Sequence, residues 1–473
     1  MIKNLYVECT HTASSDFNTG IQRVVRNIIS HLDDELANGA AVSLITLRGS
    51  GFHRLDELRD LREFDERGKF EDPVTEKTED VVVEGVVEQR VSKRIGLHLK
   101  NKVLNVIRAV RMAILIRISW APLHQFLSAP RHEFGLSRVV YSLIYRVFGR
   151  GEPAAKHLAK LETGSKPLVF SQGDVILMLD ASWHSPAWEA IAKAKNDGAV
   201  VFVVIYDLIP ITHSQFCEKN FCLAFSNWFQ RCEGTFDGYI AISKTVRQSL
   251  ISYLVGKGSS LELGNFGYFY LGADLPGRGG QYGNVRGDLG KNISKKDSYL
   301  MVSTIEPRKN HQYLIDAFSE LWLKGCRVKL HIVGRIGWKV EELLSRMKEH
   351  PEFNKQLFLW HDLDDDELVY CYENSKSLVF SSYVEGFGLP IIEAQHHQLP
   401  VLASDTPIHR EIGGDSIGYF DLNSPCDLAD KIIAIEAGLE QLPMVGEFDF
   451  EQFTWRKSSE MLVEEIYRMK ALL

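Results

Sequence analysis

The stretch Ser382-Tyr383-Val384-Glu385-Gly386-Phe387-Gly388-Leu389-Pro390-Ile391-Ile392-Glu393-Ala394 predicts a tight turn that opens into a helix. The apolar run Leu378-Val379-Phe380 leads into it as a strand. Glycines let the backbone approach a ligand closely, and Pro390 suits a first helical turn. The N-terminus of a helix has unpaired amides and about half a positive charge, which favours an anion such as a diphosphate. The stretch therefore predicts an anion site where a strand passes into a helix.

Two glutamates frame this turn. Glu385 lies beside the expected phosphates, and Glu393 lies about one turn inside the helix. Carboxylates at two depths accept protons from the hydroxyls of two sugars, a transferred hexose and a nucleotide ribose. The bare spacing of the two acids is also that of an ordinary strand-loop-helix with a capping glutamate. The Glu-Gly-Phe-Gly-Leu-Pro sequence between them favours a nucleotide-sugar site.

The composition is that of an ordinary globular protein with more than one domain. A chain of 473 residues exceeds the size at which a single core keeps growing. Its seven cysteines are an odd number without a C-x-x-C pair, which argues for a reducing compartment and against a zinc site or a disulfide framework. The N-terminus, Met1 to Glu8, runs directly into a strand-like segment without the apolar core of a signal peptide. We therefore expect a cytoplasmic protein.

The charge is distributed unevenly along the chain. Residues 90–150 carry twelve Lys and Arg against one acid, Glu133, so this segment is +11 within a chain of −8. The rest of the chain then carries −19. One surface is thus expected to meet an anionic partner that the rest of the molecule repels.

An apolar helical stripe within the basic segment favours lipid over nucleic acid as that partner. The longest uncharged run, residues 118–130, contains two prolines and is too short to span a bilayer. We therefore expect the protein to lie on an anionic membrane surface through residues 90–150. A buried helix with a basic outer face is the alternative. The stripe consists of Leu99, Val103, Ile107, Val110, Ile114 and Ile118.

Apolar strands alternate with helices along both halves of the chain, which indicates parallel sheets covered on both faces. Residues 1–275 form the first predicted domain, interrupted by a partly helical insertion around 65–165. A glycine-rich linker is predicted over 276–297 and a second domain over 298–455. A last helix, 456–473, is expected to pack back on the first domain. The fold class is therefore α/β, with two doubly wound Rossmann-like domains and a cleft at the carboxyl ends of their strands.

Several motifs of the second domain match one enzyme family in order. They are Glu306-Pro307-Arg308-Lys309-Asn310, His331-Ile332-Val333-Gly334, the stretch from Glu385 to Ala394, and Pro400-Val401-Leu402-Ala403-Ser404-Asp405. This domain resembles the donor-binding half of the GT-B glycosyltransferases of family 4, which are retaining enzymes that use nucleotide-diphosphate sugars. The resemblance is dense over residues 298–435 and loose over the first domain.

The resemblance implies roles for the residues that match. Arg308 and Lys309 would neutralise the leaving diphosphate, although relatives often place an arginine where this chain has Thr304. Glu385 would hold hydroxyls of the donor sugar, and Glu393 those of the ribose. The remaining donor-binding residues would act mainly through their backbone: Gly386, Phe387, Gly388, Leu389 and Gly334.

The first domain contributes weaker signals. Thr19 and Gly20 resemble the family's N-terminal glycine loop, with one glycine instead of several. Asp207 ends a strand that faces the cleft and joins the catalytic group, with Tyr206 where relatives often carry a histidine. His184 and His213 are acceptor-side candidates, and structural histidines are the alternative.

The acidic run Asp364-Asp365-Asp366 resembles a metal-binding pattern, but it precedes a helical sequence. Acids at that position complement the helix dipole, so we expect no metal there and no cofactor. The donor substrate is a nucleotide-diphosphate sugar.

The resemblance implies a metal-independent retaining transfer of a hexose, with mannose from GDP-mannose as the first expectation, to a lipid-linked or growing polysaccharide of the bacterial surface. The enzyme would lie on the inner face of the cytoplasmic membrane and would not bind nucleic acid. A GT-B epimerase or phosphorylase and a non-catalytic membrane-docking subunit are the alternatives. The oligomeric state is not predicted.

Overall fold

The computed structural model describes residues 2–14, 20–33, 39–55, 58, 166–184, 186–273, 285–443 and 448–473. Three predictions fall outside these residues: the insertion around 65–165 with its basic segment 90–150, the loop residue Thr19, and the linker residues 276–284. We call residues 2–273 the N-terminal half and residues 285–443 the C-terminal half.

The N-terminal half contains a sheet of seven strands in the order β3-β2-β1-β4-β5-β6-β7. Its neighbours pair in parallel, except that β3 runs antiparallel to β2. The central strands are buried on both faces, which explains their unbroken apolar sequences. The strands are β1 (Asn4–Glu8), β2 (Ala41–Arg48), β3 (Gly51–Leu55), β4 (Asp174–Met178), β5 (Val200–Ile205), β6 (Gly238–Ala241) and β7 (Phe266–Tyr268).

Helices connect these strands. In the helix Ile21–His31, apolar residues recur with the helical period of 3.6, which places Val24, Val25 and Ile28 on its buried face. The helices are α1 (Thr10–Ala13), α2 (Ile21–His31), α3 (Trp188–Asn196), α4 (Ile209–Thr212), α5 (Lys219–Cys232) and α6 (Lys244–Gly256).

The C-terminal half contains a six-stranded parallel sheet in the order β10-β9-β8-β11-β12-β13. The strand order reverses between β8 and β11, and the corresponding reversal in the first sheet lies between β1 and β4. Ligands of doubly wound sheets bind at the carboxyl ends of strands at such reversals. The strands are β8 (Ser298–Val302), β9 (Lys329–Val333), β10 (Leu357–Trp360), β11 (Ser377–Phe380), β12 (Val401–Ser404) and β13 (Gly418–Phe420).

The helices of this half begin within the predicted linker. We expected residues 276–297 to be flexible, but Gly287–Asn292 forms a helix because Leu289 is buried and Arg286 pairs with Glu367. The helices are α7 (Gly287–Asn292), α8 (His311–Leu323), α9 (Glu341–Glu349), α10 (Asp365–Asn374), α11 (Leu389–His396), α12 (Pro407–Gly413) and α13 (Pro425–Glu436).

These two doubly wound sheets confirm the predicted α/β class with two Rossmann-like domains. No helix in the described ranges is long and apolar enough to cross a bilayer.

The last helix, α14 (Trp455–Lys470), lies against α2 and β7 of the N-terminal half. Trp455 is buried at its start, and the hydroxyl of Ser459 donates to the carbonyl oxygen of Ile28 at 3.3 Å. Gly272, at the end of the N-terminal half, packs directly against the Trp455 backbone. The chain thus returns from its C-terminal half to close on the first sheet.

We expect Gly272→Ala to destabilise the protein, because the new Cβ would lie 2.5 Å from the backbone nitrogen of Trp455. Such overpacking costs about 1–3 kcal/mol. Urea unfolding measures the loss, and Gly287→Ala is the control, since a Cβ there meets nothing within 4 Å. Equal stability of the two variants would show that α14 does not require this close approach.

Candidate active site

A buried carboxylate lies where β11 runs out of the second sheet. The Glu385 side chain is 6% exposed, and each of its oxygens faces one cation. Arg308 Nη1 lies 2.5 Å from Oε2, and Lys309 Nζ lies 2.5 Å from Oε1. The sequence analysis assigned the glutamate to the sugar and the two cations to the diphosphate. The structure brings all three side chains into one cluster.

The cations occupy this place because a short 3₁₀ turn, Pro307–Lys309, follows β8. Asn310 then takes a left-handed backbone conformation, with φ of 57°, that starts α8. The Ser381 hydroxyl donates to the carbonyl oxygens of Lys309 and Asn310, at 3.0 and 3.1 Å. The Tyr383 amide donates to the Arg308 carbonyl oxygen at 2.9 Å. These bonds join the loops after β8 and β11 at the strand-order reversal.

Arg308 also interacts with two other acidic side chains. Its Nε lies 2.6 Å from Glu306 Oε1, and its charge acts on Asp207 of the N-terminal half. Three carboxyl groups therefore act on two cations, and the cluster has no excess positive charge.

The charges of this cluster set its protonation. Burial by itself would raise the pKa of Glu385, but Arg308 and Lys309 hold it well below its usual range. Burial lowers the pKa of Lys309, as does the neighbouring Arg308. Burial raises the pKa of Asp207 and of Glu306. Glu385 is therefore the firmly ionised acid of the group.

Gly386 lies against the N-terminal half. A Cβ at this position would overlap the carbonyl oxygen of Tyr206 and touch the side chain of Asp207. The hydroxyl of Ser243 donates to the Gly386 carbonyl oxygen at 3.0 Å. Asp207 follows β5 and accepts from the Ile209 amide at 2.9 Å. The predicted catalytic residue Asp207 thus lies across the boundary between the halves from the predicted donor-binding turn.

The rest of that turn supports α11 by packing. Phe387 is buried, with ring centroids 6.0 Å from Tyr270 and 6.2 Å from Phe453. Gly388 has φ of 106° as the residue before Leu389, which starts the helix. The side chain of Phe387 therefore anchors the turn within an aromatic cluster, which leaves its backbone as the part able to meet a ligand.

Glu393 has partners in both halves. Its Oε2 accepts from the hydroxyl of Tyr372 at 2.7 Å, and its Oε1 accepts from Arg23 Nη1 at 2.9 Å. Arg23 lies in the first turn of α2, three residues after Gly20, which has φ of 55°. Arg23 was not among the predicted site residues, although it follows the predicted glycine loop at Thr19 and Gly20 by three residues.

Gly334 has a structural explanation of its own. Its φ is 147°, and a Cβ there would overlap the carbonyl oxygen of Ser303 in the adjacent loop. Its amide donates to the Trp360 carbonyl oxygen at 2.9 Å. The close approach of loops accounts for the glycine without a ligand, and a donor-binding role remains a prediction.

The two histidines occupy different surroundings. His184 stacks on His11 with ring centroids 4.8 Å apart, and burial lowers its pKa. His213 stacks on Phe216, which in turn stacks on Tyr383 at 5.4 Å. His213 therefore belongs to a row of rings that reaches the Glu385 loop, whereas His184 lies beyond β4.

Two acids at the reversal of the first sheet were also missed. Glu8 ends β1, and Asp180 follows β4. The amides of Thr12 and Ala181 donate to Asp180 at 2.6 and 2.7 Å. Burial, with the charge of Asp180 adding to it, raises the pKa of Glu8 to about 7. The sequence signal that could have identified Glu8 is its position as an acid directly at the end of an apolar strand.

The acidic run of α10 serves the helix itself. Asp364 accepts from the Glu367 amide at 2.8 Å, and Glu367 pairs with Arg286. Across the described part of the chain, no group of three or more His, Cys, Asp or Glu side chains is arranged to hold a metal.

Comparisons with known proteins find similarity over much of the chain. The family model "Glycosyl transferases group 1" matches residues 289–445. The serotype-specific mannosyltransferase WbdA of Escherichia coli is 30% identical over 309 residues, which cover 64% of this chain and 38% of that protein. The O-antigen chain mannosyltransferase B of Escherichia coli is 32% identical over 168 residues, covering 33% of this chain and 42% of that protein.

Among solved structures, the crystal structure of Anabaena Alr3699/HepE in complex with UDP and glucose aligns with 99% of this chain and 98% of its own, at 12% identity and a TM-score of 0.46. The chain spans 38% of the length of the WbdA relatives. The residues that the family model matches include Glu306, Arg308, Lys309 and Glu385.

We expect Glu8 to make stability depend on pH. Its pKa is about 7 in the folded protein and 4.5 ordinarily, so the folded state holds the proton more tightly. The stability that this proton confers is complete below pH 4.5 and is lost as pH rises through 7. Relative to Glu8→Gln, the free energy of unfolding of the wild type should fall by up to about 3 kcal/mol as the pH rises from below 4.5 to 8.

Urea unfolding from pH 5 to pH 8 measures this difference, and Glu218→Gln, a substitution of an exposed acid, is the control. Parallel pH profiles of wild type and Glu8→Gln would contradict the expectation.

Proposed function

We propose that this chain is a retaining glycosyltransferase that moves a hexose from a nucleoside diphosphate sugar to a glycan of the bacterial surface. The observation that carries the proposal is the buried Glu385 cluster, where one carboxylate is held by Arg308 and Lys309 at the strand-order reversal of a group 1 glycosyl transferase domain.

The cluster suits a leaving diphosphate. As the bond from the sugar's anomeric carbon to the phosphate oxygen breaks, negative charge builds on the phosphate. A guanidinium and an ammonium already held in place stabilise that charge without reorganisation. The acceptor oxygen bonds to the anomeric carbon on the same face, and its proton passes to the leaving phosphate. The two cations supply the charge that a metal provides elsewhere, so we propose that no metal is needed.

A diphosphate that binds in the cluster would also change the partners of Glu385. Each of its oxygens pairs with one cation in the structure. Phosphate oxygens compete for the same cations, which frees lone pairs of Glu385 for hydroxyls of the hexose. Asp207, across the boundary between the halves, would then contribute to the acceptor side of the reaction.

The names of the relatives support mannose as the hexose and O-antigen-type polysaccharide as the setting. We propose GDP-mannose as the donor and a lipid-linked or growing polysaccharide as the acceptor. We further propose that the basic residues 90–150 hold the enzyme against the anionic inner face of the cytoplasmic membrane.

Glu385→Gln should lower transfer by at least about 100-fold, because it removes the charge that orders both cations and the acceptor for sugar hydroxyls. The assay measures GDP release from GDP-mannose that depends on added acceptor. The substitution leaves two buried cations underpaired, so the double variant Glu385→Gln/Lys309→Met restores the balance of charge. Both variants should lose transfer while thermal unfolding shows a folded protein.

Glu349→Gln, a substitution of an exposed acid on α9, is the matched control and should keep full activity, as should the wild type in EDTA. Unchanged transfer by folded Glu385→Gln would show that this carboxylate does not carry the reaction, and a folded wild type that transfers no hexose would favour a docking subunit. GDP release without acceptor would favour a different reaction of the cleft.

Vesicle flotation tests the membrane proposal. The full chain should float with phosphatidylglycerol vesicles at low salt and separate from them at high salt, because screening weakens contacts between exposed charges. Reversing Arg108, Arg111 and Arg117 to Glu should reduce flotation. The control reverses three cations elsewhere, Lys257, Lys324 and Lys348. Equal flotation of the two triple variants would show that the basic segment is not the contact.

A further inference from the structure

One ion pair joins the two halves directly at the second glutamate of the opening motif. Arg23 Nη1 of α2 lies 2.9 Å from Glu393 Oε1 of α11, across 370 residues of sequence. The Arg23 side chain is 24% exposed, whereas that of Glu393 is 4% exposed. The carboxylate is therefore covered, and the arginine is the part of the pair that solvent reaches.

The other partner of Glu393 cannot give way so readily. Tyr372, which donates to Oε2 at 2.7 Å, is fully enclosed on α10 and stacks on His397 with ring centroids 5.6 Å apart. A tyrosine packed on all sides holds its rotamer, whereas a long, partly exposed arginine changes its rotamer easily. Arg23 therefore covers the side of Glu393 that faces solvent, and a new hydrogen-bond donor approaches the carboxylate from that side.

The proposed function requires such a donor. It assigns the ribose hydroxyls of the nucleotide to Glu393, and at 4% exposure this carboxylate is not open to a ribose while Arg23 stays in place. The guanidinium donates to the same carboxylate that the ribose would use. The protein's own side chain thus occupies the position that the proposed function gives to the ribose.

We propose that Arg23 is a latch that covers the ribose position, so that nucleotide binding must first break the Arg23–Glu393 pair. The inference rests on the proposed function for the identity of the ligand. It makes Arg23 a positioning residue that sets the affinity for the donor.

The halves keep other contacts when this pair opens. Glu411 of α12 accepts from the amides of Lys244 and Thr245 at the start of α6, both at 2.7 Å. The indole of Trp338 donates to the Phe216 carbonyl oxygen at 3.0 Å. Loss of the latch therefore uncovers Glu393 without removing the remaining contacts between the halves.

Calorimetric titration of the full chain with GDP tests the latch. If the state with the pair open is a minor fraction of the protein, the apparent Kd equals the intrinsic Kd divided by that fraction. We expect Arg23→Gln to lower the Kd for GDP about two- to fivefold, the range that loss of one partly exposed charged pair allows. Arg23→Lys, which keeps the charge, should stay near the wild type.

Two further variants make the test specific. Lys324→Gln removes an exposed ion pair with Asp430 within the C-terminal half and should leave the Kd unchanged. Glu393→Gln should weaken GDP binding, and adding Arg23→Gln to it should have no further effect, because no carboxylate remains to be uncovered. This non-additivity separates a latch from a general change in stability.

The outcomes distinguish the latch from the proposed function. Weaker GDP binding by Arg23→Gln would mean that Arg23 contacts the nucleotide itself, and an unchanged Kd would mean that it does not compete. Either result overturns the latch while transfer by the wild type still supports the enzyme. Tighter GDP binding by Arg23→Gln in a chain that transfers no hexose would support the latch and overturn the transferase. If neither protein binds GDP, both fail.

Discussion

The structure depends on burying one ionised carboxylate. Placing Glu385 at 6% exposure is costly unless both its oxygens find charged partners, and Arg308 and Lys309 meet that requirement from an adjacent loop. The loops after β8 and β11 must therefore lie side by side, which the strand-order reversal between these strands provides. The hydroxyl of Ser381 and the amide of Tyr383 hold the two loops in this register. The ion pairs of Glu385 therefore require the strand order that places the loops after β8 and β11 side by side.

The same loop also determines how the halves meet. Gly386 has no side chain, so the carbonyl oxygen of Tyr206 reaches its backbone, and the Ser243 hydroxyl bonds its carbonyl oxygen. Phe387 adds an apolar contact with Tyr270. The charge cluster therefore lies against the end of β5, which brings Asp207 near Arg308. Residues of one short motif thus position both the cations and the opposing half.

Local sequence signals predicted the strands and the motif turn, but they could not predict contacts between residues that are far apart in the chain. Apolar runs, glycines and Pro390 predicted the strands and the turn, because those signals are local in sequence. The Arg23–Glu393 and Glu8–Asp180 pairs were beyond prediction, since their members lie 370 and about 170 residues apart and meet through the topology of the sheets. The prediction of a flexible linker was wrong for residues 287–292, which form a helix. The glycine content of the segment indicated a linker, and the burial of a single apolar residue, Leu289, could not be recognised from the sequence.

The two glutamates of the motif differ in how tightly their cations are held. Lys309 is 9% exposed and lies in the same half as Glu385, so its partner can be exchanged but the cation itself remains in place. Arg23 is 24% exposed and belongs to the other half, so it can leave Glu393 for solvent. In the proposed reaction a diphosphate therefore shares the cations of Glu385, whereas a ribose replaces the cation of Glu393. The first exchange conserves charges that act on the leaving group, and the second uncovers a binding position. In the proposed reaction, one sequence motif thus serves catalysis at its first acid and access at its second.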